Sequence, residues 1–263
     1  SDLRNLLSEP NFSGKARTEF NCFLQAGTSL YALLIEPAEK YLLSTNLLIS
    51  PDNLLSYLPF EVLLRSGYQG KEILYRKLHY LMNDYSISYA YSAAFINERS
   101  GAIQRPEERM VAFAPSYPPS LGIDSIFADR HVEKVLSDLP EARNEAEYVA
   151  GISGGKVFIN LEATESRFKA EAGKYSIIHL AMHTVVSDQK PMNSAMIFAG
   201  VPDTADDGLL RTYEVYGIPM KARMVVLSSC NTGIGALSSG EGILSLARGF
   251  LYSGSRSVVM SLW

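Results

Sequence analysis

The chain has 263 residues, of which 47% are hydrophobic and 20% charged, with a formal net charge of −4 and a pI of about 5.6. This is ordinary globular composition and excludes a largely disordered chain. The acidic balance argues against a dedicated nucleic-acid surface, and no run reaches the roughly 18 apolar residues that a membrane span needs. The length suits one large domain or two smaller ones.

The first residues and the cysteine content favour an intracellular piece of a larger protein. The start, Ser1-Asp-Leu-Arg-Asn5, has neither an initiator Met nor a basic-then-apolar signal pattern, and we interpret it as the cut end of a longer chain. Cys22 and Cys230 are too few for a disulfide scaffold and fit a reducing compartment. We therefore expect a cytoplasmic location.

Short β-branched or aromatic runs alternate with helix-like segments, which predicts an α/β fold with a mostly parallel sheet flanked by helices. The predicted strands are Leu47–Ser50, Tyr85–Ser92, Met110–Ala114, Lys156–Asn160, Tyr175–Leu180, Ala195–Ala199, Met224–Ser229 and Ser257–Leu262. The nearly continuous apolar runs at 177–180 and 224–227 are typical of central strands that are covered on both faces.

Two helices are predicted from apolar stripes and their end signals. The first begins at Pro140, carries Ala142, Ala146, Val149 and Ala150 on one side, and is expected to end at a cap on Gly151. The second carries Ile243, Leu246, Ala247, Phe250 and Leu251, with Ser238 and Glu241 as a capping box and Gly254 closing it.

The turn-rich stretch Pro115–Gly122 is a plausible linker, and we predict two lobes, 1–139 and 140–263. The final run, Ser257–Trp263, resembles a buried parallel strand with no following helix. We therefore expect the fold of the second lobe to continue beyond this chain or to be completed by a partner segment.

His183 and Cys230 are the strongest candidates for chemistry, because each directly follows an apolar strand. Side chains just past the carboxyl ends of parallel strands gather at one edge of the sheet, so neighbouring strands would bring this imidazole and thiol together. A nearby histidine lowers the pKa of a thiol and yields a nucleophile at neutral pH. Gly233 and Gly235 would let the backbone turn and expose N–H groups to an oxyanion. The alternative is a buried structural cysteine and an unrelated histidine.

Several motifs resemble those of the CHAT domain, whose members are caspase-like cysteine peptidases related to caspases, separase and gingipains. The resemblance covers roughly residues 20 to 263 and follows one order along the chain. The matching segments are 49–61, 139–147, His179-Leu-Ala-Met-His183, Val226-Leu-Ser-Ser-Cys-Asn-Thr-Gly233, Gly240-Glu-Gly242, 245–251 and 258–263.

The resemblance implies a fold, a reaction and roles for particular residues. The fold would have an N-terminal pseudo-caspase half and a C-terminal catalytic half. Cys230 would be the nucleophile and His183 the proton donor to the leaving amine, with the backbone N–H groups of Cys230 and Thr184 forming the oxyanion hole. The family usually has Gly where this chain has Thr184, and a side chain there could narrow the hole or alter its backbone angle.

The resemblance also implies partners, namely a protein or peptide substrate and regulatory repeats of the TPR type in the parent chain. No metal or organic cofactor, nucleic acid or membrane is expected. The predicted function is a cysteine endopeptidase that acts through an acyl-enzyme. Two alternatives stay open: a catalytically silent caspase-like interaction module, and, less favoured, a nucleotide-binding domain that uses the loop at 233–238.

The remaining histidines and acidic residues have plainer interpretations. His179 precedes His183 by four residues, but the run is β-like, so we predict a hydrogen-bonded core histidine rather than a zinc ligand. His79 and His131 are predicted at the surface. Asp207 and Glu241 could line a pocket for a Lys or Arg side chain, with Asp203 and Asp206 nearby. The alternatives are a solvated loop for the aspartates and a helix cap for Glu241.

Overall fold

The computed structural model describes residues 16–52, 55–56, 58–70, 72–90, 106, 108–117, 137–187, 189–200, 206–228 and 241–260, with side chains from residue 245 onward in the last segment. The chain divides into two compact units, Ser1–Gly101 and Ala102–Trp263.

The first unit is built on a long amphipathic helix. Phe20, Phe23, Gly27 and Tyr31 recur every three or four residues along this helix and are buried. Phe20, Phe23 and Tyr31 pack in one apolar cluster with residues of the turns that follow, among them Leu64 and Leu81. Its helices and strands are α1 (Ala16–Leu34), α2 (Glu36–Glu39), β1 (Asn46–Ile49) and β2 (Ser86–Tyr89), with 3-10 turns at Phe60–Val62, Tyr75–Lys77 and Leu81–Asn83; β1 and β2 pair in parallel.

The second unit contains a central parallel sheet and a small antiparallel one. Its elements are β3 (Glu108–Pro115), α3 (Pro140–Ser153), β4 (Lys156–Asn160), α4 (Glu165–Glu171), β5 (Tyr175–Ala181), β6 (Thr184–Val185), a 3-10 turn (Pro191–Asn193), β7 (Ala195–Ile197), β8 (Leu209–Arg211), α5 (Thr212–Val215), β9 (Met224–Ser228), α6 (Glu241–Tyr252) and β10 (Val258–Met260). The five parallel strands lie in the order β10-β9-β5-β3-β4, and β6, β7 and β8 form the antiparallel sheet.

Side chains alternate between the two faces of the parallel sheet, as a pleated strand requires. Ile178 and Leu180 of β5 lie in the larger apolar cluster, with aromatic residues that include Phe168 and Phe250. Ala181 lies in a second cluster with alanines of α3. The sheet is therefore covered on both faces, and β3, β5 and β9 end at the same edge.

The predicted fold class is confirmed, and the strand positions agree closely with the structure. The strand at Lys156–Asn160 is found at its predicted bounds, and the described parts of the other predicted strands lie within two residues of theirs. The predicted stripes are also found: Ala146, Ala150, Leu246 and Phe250 are buried.

The predicted cap of α3 is wrong by three residues. The helix continues to Ser153, and Gly154 adopts the left-handed conformation with φ 64°. Gly155 then passes so close to β3 that an added Cβ would lie 2.8 Å from the Met110 carbonyl oxygen. The positive φ therefore favours glycine at position 154, and the closeness of β3 requires glycine at position 155. Gly254, with φ 112°, follows α6 as predicted.

The compact units divide upstream of the predicted boundary at 139/140. β3, which precedes that boundary, lies between β4 and β5 in the parallel sheet, and the boundary between two lobes stays a prediction. The pseudo-caspase character of the first half stays a prediction. Within the described segments, no helix has both the length and the apolar character that crossing a bilayer requires.

Candidate active site

His183 lies just beyond the carboxyl end of β5 and is 3% exposed. Its Nε2 is 2.8 Å from the main-chain carbonyl oxygen of Ser137, in the segment that leads into α3. A carbonyl oxygen only accepts hydrogen bonds, so Nε2 carries a proton and donates it to this contact. In the neutral ring, Nδ1 then presents a lone pair.

The other ring nitrogen of His183 is the one available for chemistry. Nδ1 is buried, and no described residue provides it with a hydrogen-bond partner. Buried polar atoms normally have partners, so an unpaired nitrogen at a strand end is a feature that calls for a functional explanation.

Tyr117 packs against the same histidine, and sequence reasoning missed it. Its ring centroid is 4.8 Å from that of His183, and its hydroxyl accepts a hydrogen bond from the His183 N–H at 3.1 Å. The residue falls in the stretch 115–122 that we predicted as a linker. Nothing in that local sequence indicates a contact with a residue 66 positions away. The part of the predicted linker beyond residue 117 lies outside the described residues.

Thr184 follows His183 and starts β6, which pairs antiparallel with β7. Its φ is not positive, so a non-glycine residue fits this backbone without strain. The Ile197 N–H donates to the His183 carbonyl at 2.9 Å, which makes these two residues a hydrogen-bonded pair. Because hydrogen-bonded and non-hydrogen-bonded pairs alternate, the Thr184 N–H points away from β7.

His179 is buried, as predicted, but its Nε2 makes no hydrogen bond of good geometry with a described residue. It is 5% exposed, and its Nε2 lies 3.0 Å from Glu145 Oε1 of α3. Burial lowers the pKa of His179, and the nearby Glu145 carboxylate opposes this effect. The described residues contain no cluster of three or more His, Cys, Asp or Glu side chains suited to a metal ion.

Glu145 also reaches the neighbouring strand. Its Oε2 accepts a hydrogen bond from the Ser228 hydroxyl at 3.0 Å. Ser228 is the last residue of β9 and pairs with Ala181 of β5. One carboxylate on α3 therefore ties together the two strands that lead to His183 and Cys230.

Several predicted residues lie outside the described part of the chain. They are Cys230, Gly233, Gly235, Ser238, His131, Asp203 and the side chains of Glu241 and Ile243. The pairing of His183 with Cys230 therefore stays a prediction. His79 is exposed at the surface, as predicted, beside Asp84 at 3.0 Å.

The two described aspartates near the predicted pocket are engaged in ion pairs. Asp207 Oδ2 lies 2.7 Å from Arg211, and this hydrogen bond, together with the Leu209 N–H, lowers the pKa of Asp207 despite partial burial. Asp206 lies 2.7 Å from Lys169 Nζ. Lys169 also contacts Glu165 and Glu214, and Arg211 also contacts Glu214, so two cations are shared among four carboxylates.

Comparison with known proteins gives two matches. The CHAT domain family matches residues 24–263. The chain is also similar to human tetratricopeptide repeat protein 28, with 23% identity over 280 aligned positions. That alignment includes 89% of this chain but only 11% of the relative's length.

Proposed function

The chain belongs to the CHAT domain family, which has a caspase-like fold, and on this basis we propose that it is a cysteine endopeptidase with a dyad of His183 and Cys230. The observation that carries the proposal is the register between β5 and β9. The paired residues run from Ile177 opposite Met224 to Ala181 opposite Ser228, a constant offset of 47 positions. His183 and Cys230 are also 47 positions apart. Continuing the same register for two residues would set them side by side.

The faces of the strands support the same pairing. His179 and Ser228 both contact Glu145, so both point toward α3. Side chains two positions apart share a face of an extended strand. We therefore expect Cys230, two positions after Ser228, to point toward α3 as well. The His183 ring also turns to this side, where it meets the carbonyl of Ser137.

In the proposed reaction, Nδ1 of His183 takes the thiol proton of Cys230, and the resulting thiolate attacks the carbonyl carbon of a peptide bond. His183 gives a proton from Nδ1 to the leaving amine, and an acyl-enzyme remains. Water, deprotonated by the same nitrogen, then releases the acid product. The Ser137 carbonyl holds the ring by its Nε2 throughout, so that Nδ1 keeps one orientation.

The oxyanion of each tetrahedral intermediate would be held by two backbone N–H groups, those of Thr184 and Cys230. The direction of the Thr184 N–H supports this role, because it is turned away from the β6–β7 ladder. The ordinary backbone angle of Thr184 removes one reason why threonine would be unsuitable there.

The substrate is proposed to be a protein or peptide. The ion pair between Asp207 and Arg211 weakens the case for Asp207 as the group that selects a basic side chain. The similarity to a protein named for tetratricopeptide repeats supports the proposal that attached repeats regulate this domain.

The experiment that tests the proposal measures the reactivity of Cys230 and needs no known substrate. In a Cys22→Ser background, Cys230 is the only thiol of the chain. We expect iodoacetamide to modify it about tenfold faster than an ordinary thiol at neutral pH, because a neighbouring imidazole increases the thiolate fraction. His183→Ala should lower the modification rate to that of an ordinary thiol. His79→Ala, which changes an exposed histidine of the first unit, should leave the rate unchanged.

The alternative function is a catalytically silent module that uses the caspase-like fold to dock partners. Threonine at position 184, where the family usually has glycine, is the observation that favours it. The silent-module alternative predicts that iodoacetamide modifies Cys230 no faster than an ordinary thiol. It also predicts that His183→Ala leaves this rate unchanged.

A further inference from the structure

The first residue pair between the β6 and β7 segments lacks one of its two backbone hydrogen bonds. The register sets Thr184 opposite Met196 and Val185 opposite Ala195, so His183 lies opposite Ile197. In an antiparallel hydrogen-bonded pair, the two residues exchange two N–H···O bonds. One of these is present, from the Ile197 N–H to the His183 carbonyl at 2.9 Å.

The hydroxyl of Tyr117 takes the place of the second bond. It accepts the His183 N–H at 3.1 Å and donates to the Ile197 carbonyl at 2.7 Å. The side chain thus bridges the donor and the acceptor that would otherwise bond to each other.

Tyr117 is well suited to a fixed structural contact of this kind. The residue is 2% exposed, and its ring lies against the His183 imidazole. Burial raises the pKa of Tyr117 well above the usual range, which keeps the hydroxyl protonated. A protonated hydroxyl can donate and accept at once, as both contacts require.

The bridge is made at the residue whose main chain leads directly to the proposed oxyanion hole. The His183 N–H is fixed by Tyr117, its ring by Ser137, and its carbonyl by Ile197. The next peptide carries the Thr184 N–H. A change in the distance between the backbones of His183 and Ile197 would therefore move both the imidazole and the Thr184 N–H.

We propose that Tyr117 is a positioning residue for the active site, and that its hydroxyl sets the main-chain position of His183 and the direction of the Thr184 N–H. The inference rests on the proposed function. It assigns Tyr117 no contact with the substrate.

Tyr117→Phe tests the proposal, because it removes the hydroxyl and keeps the ring. The matched control is Tyr175→Phe, which removes another buried hydroxyl of the same unit, bonded to Glu171 at 3.1 Å. Both are made in the whole chain with Cys22→Ser. The readouts are the pH profile of iodoacetamide modification at Cys230 and the amide hydrogen exchange of His183 and Ile197.

We expect Tyr117→Phe to shift the modification profile toward that of His183→Ala and to change the exchange of the His183 amide, while Tyr175→Phe does neither. The proposal is overturned if both variants retain the wild-type profile and His183 exchange, or if both change them equally. Should His183→Ala itself have no effect on Cys230, the proposed function fails. In that case the amide hydrogen exchange of His183 in Tyr117→Phe alone tests whether Tyr117 positions this residue.

Discussion

At the scale of single residues, the two nitrogens of the His183 ring have different environments. Nε2 donates to the Ser137 carbonyl, and Nδ1 has no partner among the described residues. The carbonyl belongs to the main chain, so no side-chain pattern could have indicated it. The sequence predicted that His183 directly follows a strand, as it does in the structure, and its catalytic role stays a prediction. The contacts that orient the ring came only from the fold.

The side chain of Thr184 can be tested by substitution. It is buried, and its Oγ1 has no hydrogen-bond partner in the described part of the chain. A buried hydroxyl without a partner costs about 1–3 kcal/mol, so Thr184→Val should leave the free energy of unfolding unchanged or increase it by about 1 kcal/mol.

Thr212→Val is the matched control for this substitution. Thr212 is also buried, but its hydroxyl donates to the Ser194 carbonyl at 3.0 Å. Its replacement should lower the free energy of unfolding by about 1 kcal/mol or more. Urea denaturation of the two variants measures the difference, and an equal loss in both would contradict the assignment of Thr184 as unpaired.

At the scale of elements, α3 joins the two strands that lead to the proposed dyad. Glu145 contacts His179 on β5 and Ser228 on β9. The apolar stripe of α3 was predictable from spacing. The strands were predictable because apolar runs are bounded by turn formers. The Glu145 contacts were not, because they join positions 34 and 83 residues apart and depend on how the helix lies over the sheet.

The burial of His179 predicts how stability depends on pH. The folded-state pKa of His179 is below its ordinary value of 6.5, chiefly because of burial. Below about pH 6.5 the unfolded chain therefore binds a proton here more readily than the folded chain. The contribution of neutral His179 to the free energy of unfolding is fully present above about pH 6.5 and is lost as the pH falls toward the folded-state pKa.

His179→Gln should reduce this pH dependence, because glutamine has no charged form. The measurement is the free energy of unfolding in urea at about pH 7.5 and about pH 5.5. We expect the free energy of unfolding to decrease less in the variant than in the wild type when the pH is lowered between these two values. The same decrease in both proteins would show that His179 does not produce the effect.

At the scale of the whole molecule, the order of motifs predicted the family, and the match over residues 24–263 confirms it. The predicted division into lobes at 139/140 stays a prediction. A boundary was expected after the turn-rich stretch at 115–122, yet β3 before it belongs to the same sheet as β5 and β9. Local turn signals mark where a chain leaves a strand, and only strand pairing tells which sheet that strand joins.

The proposed dyad requires the offset of 47 positions between β5 and β9 to continue as far as His183 and Cys230. The most direct test is a crystal structure of the chain in which the distance from the Cys230 sulfur to His183 Nδ1 is measured. We predict that the sulfur lies on the α3 side of the sheet, within hydrogen-bonding reach of that nitrogen and open to solvent. A sulfur on the opposite face of the sheet, or enclosed among apolar side chains away from the ring, would contradict the proposed peptidase.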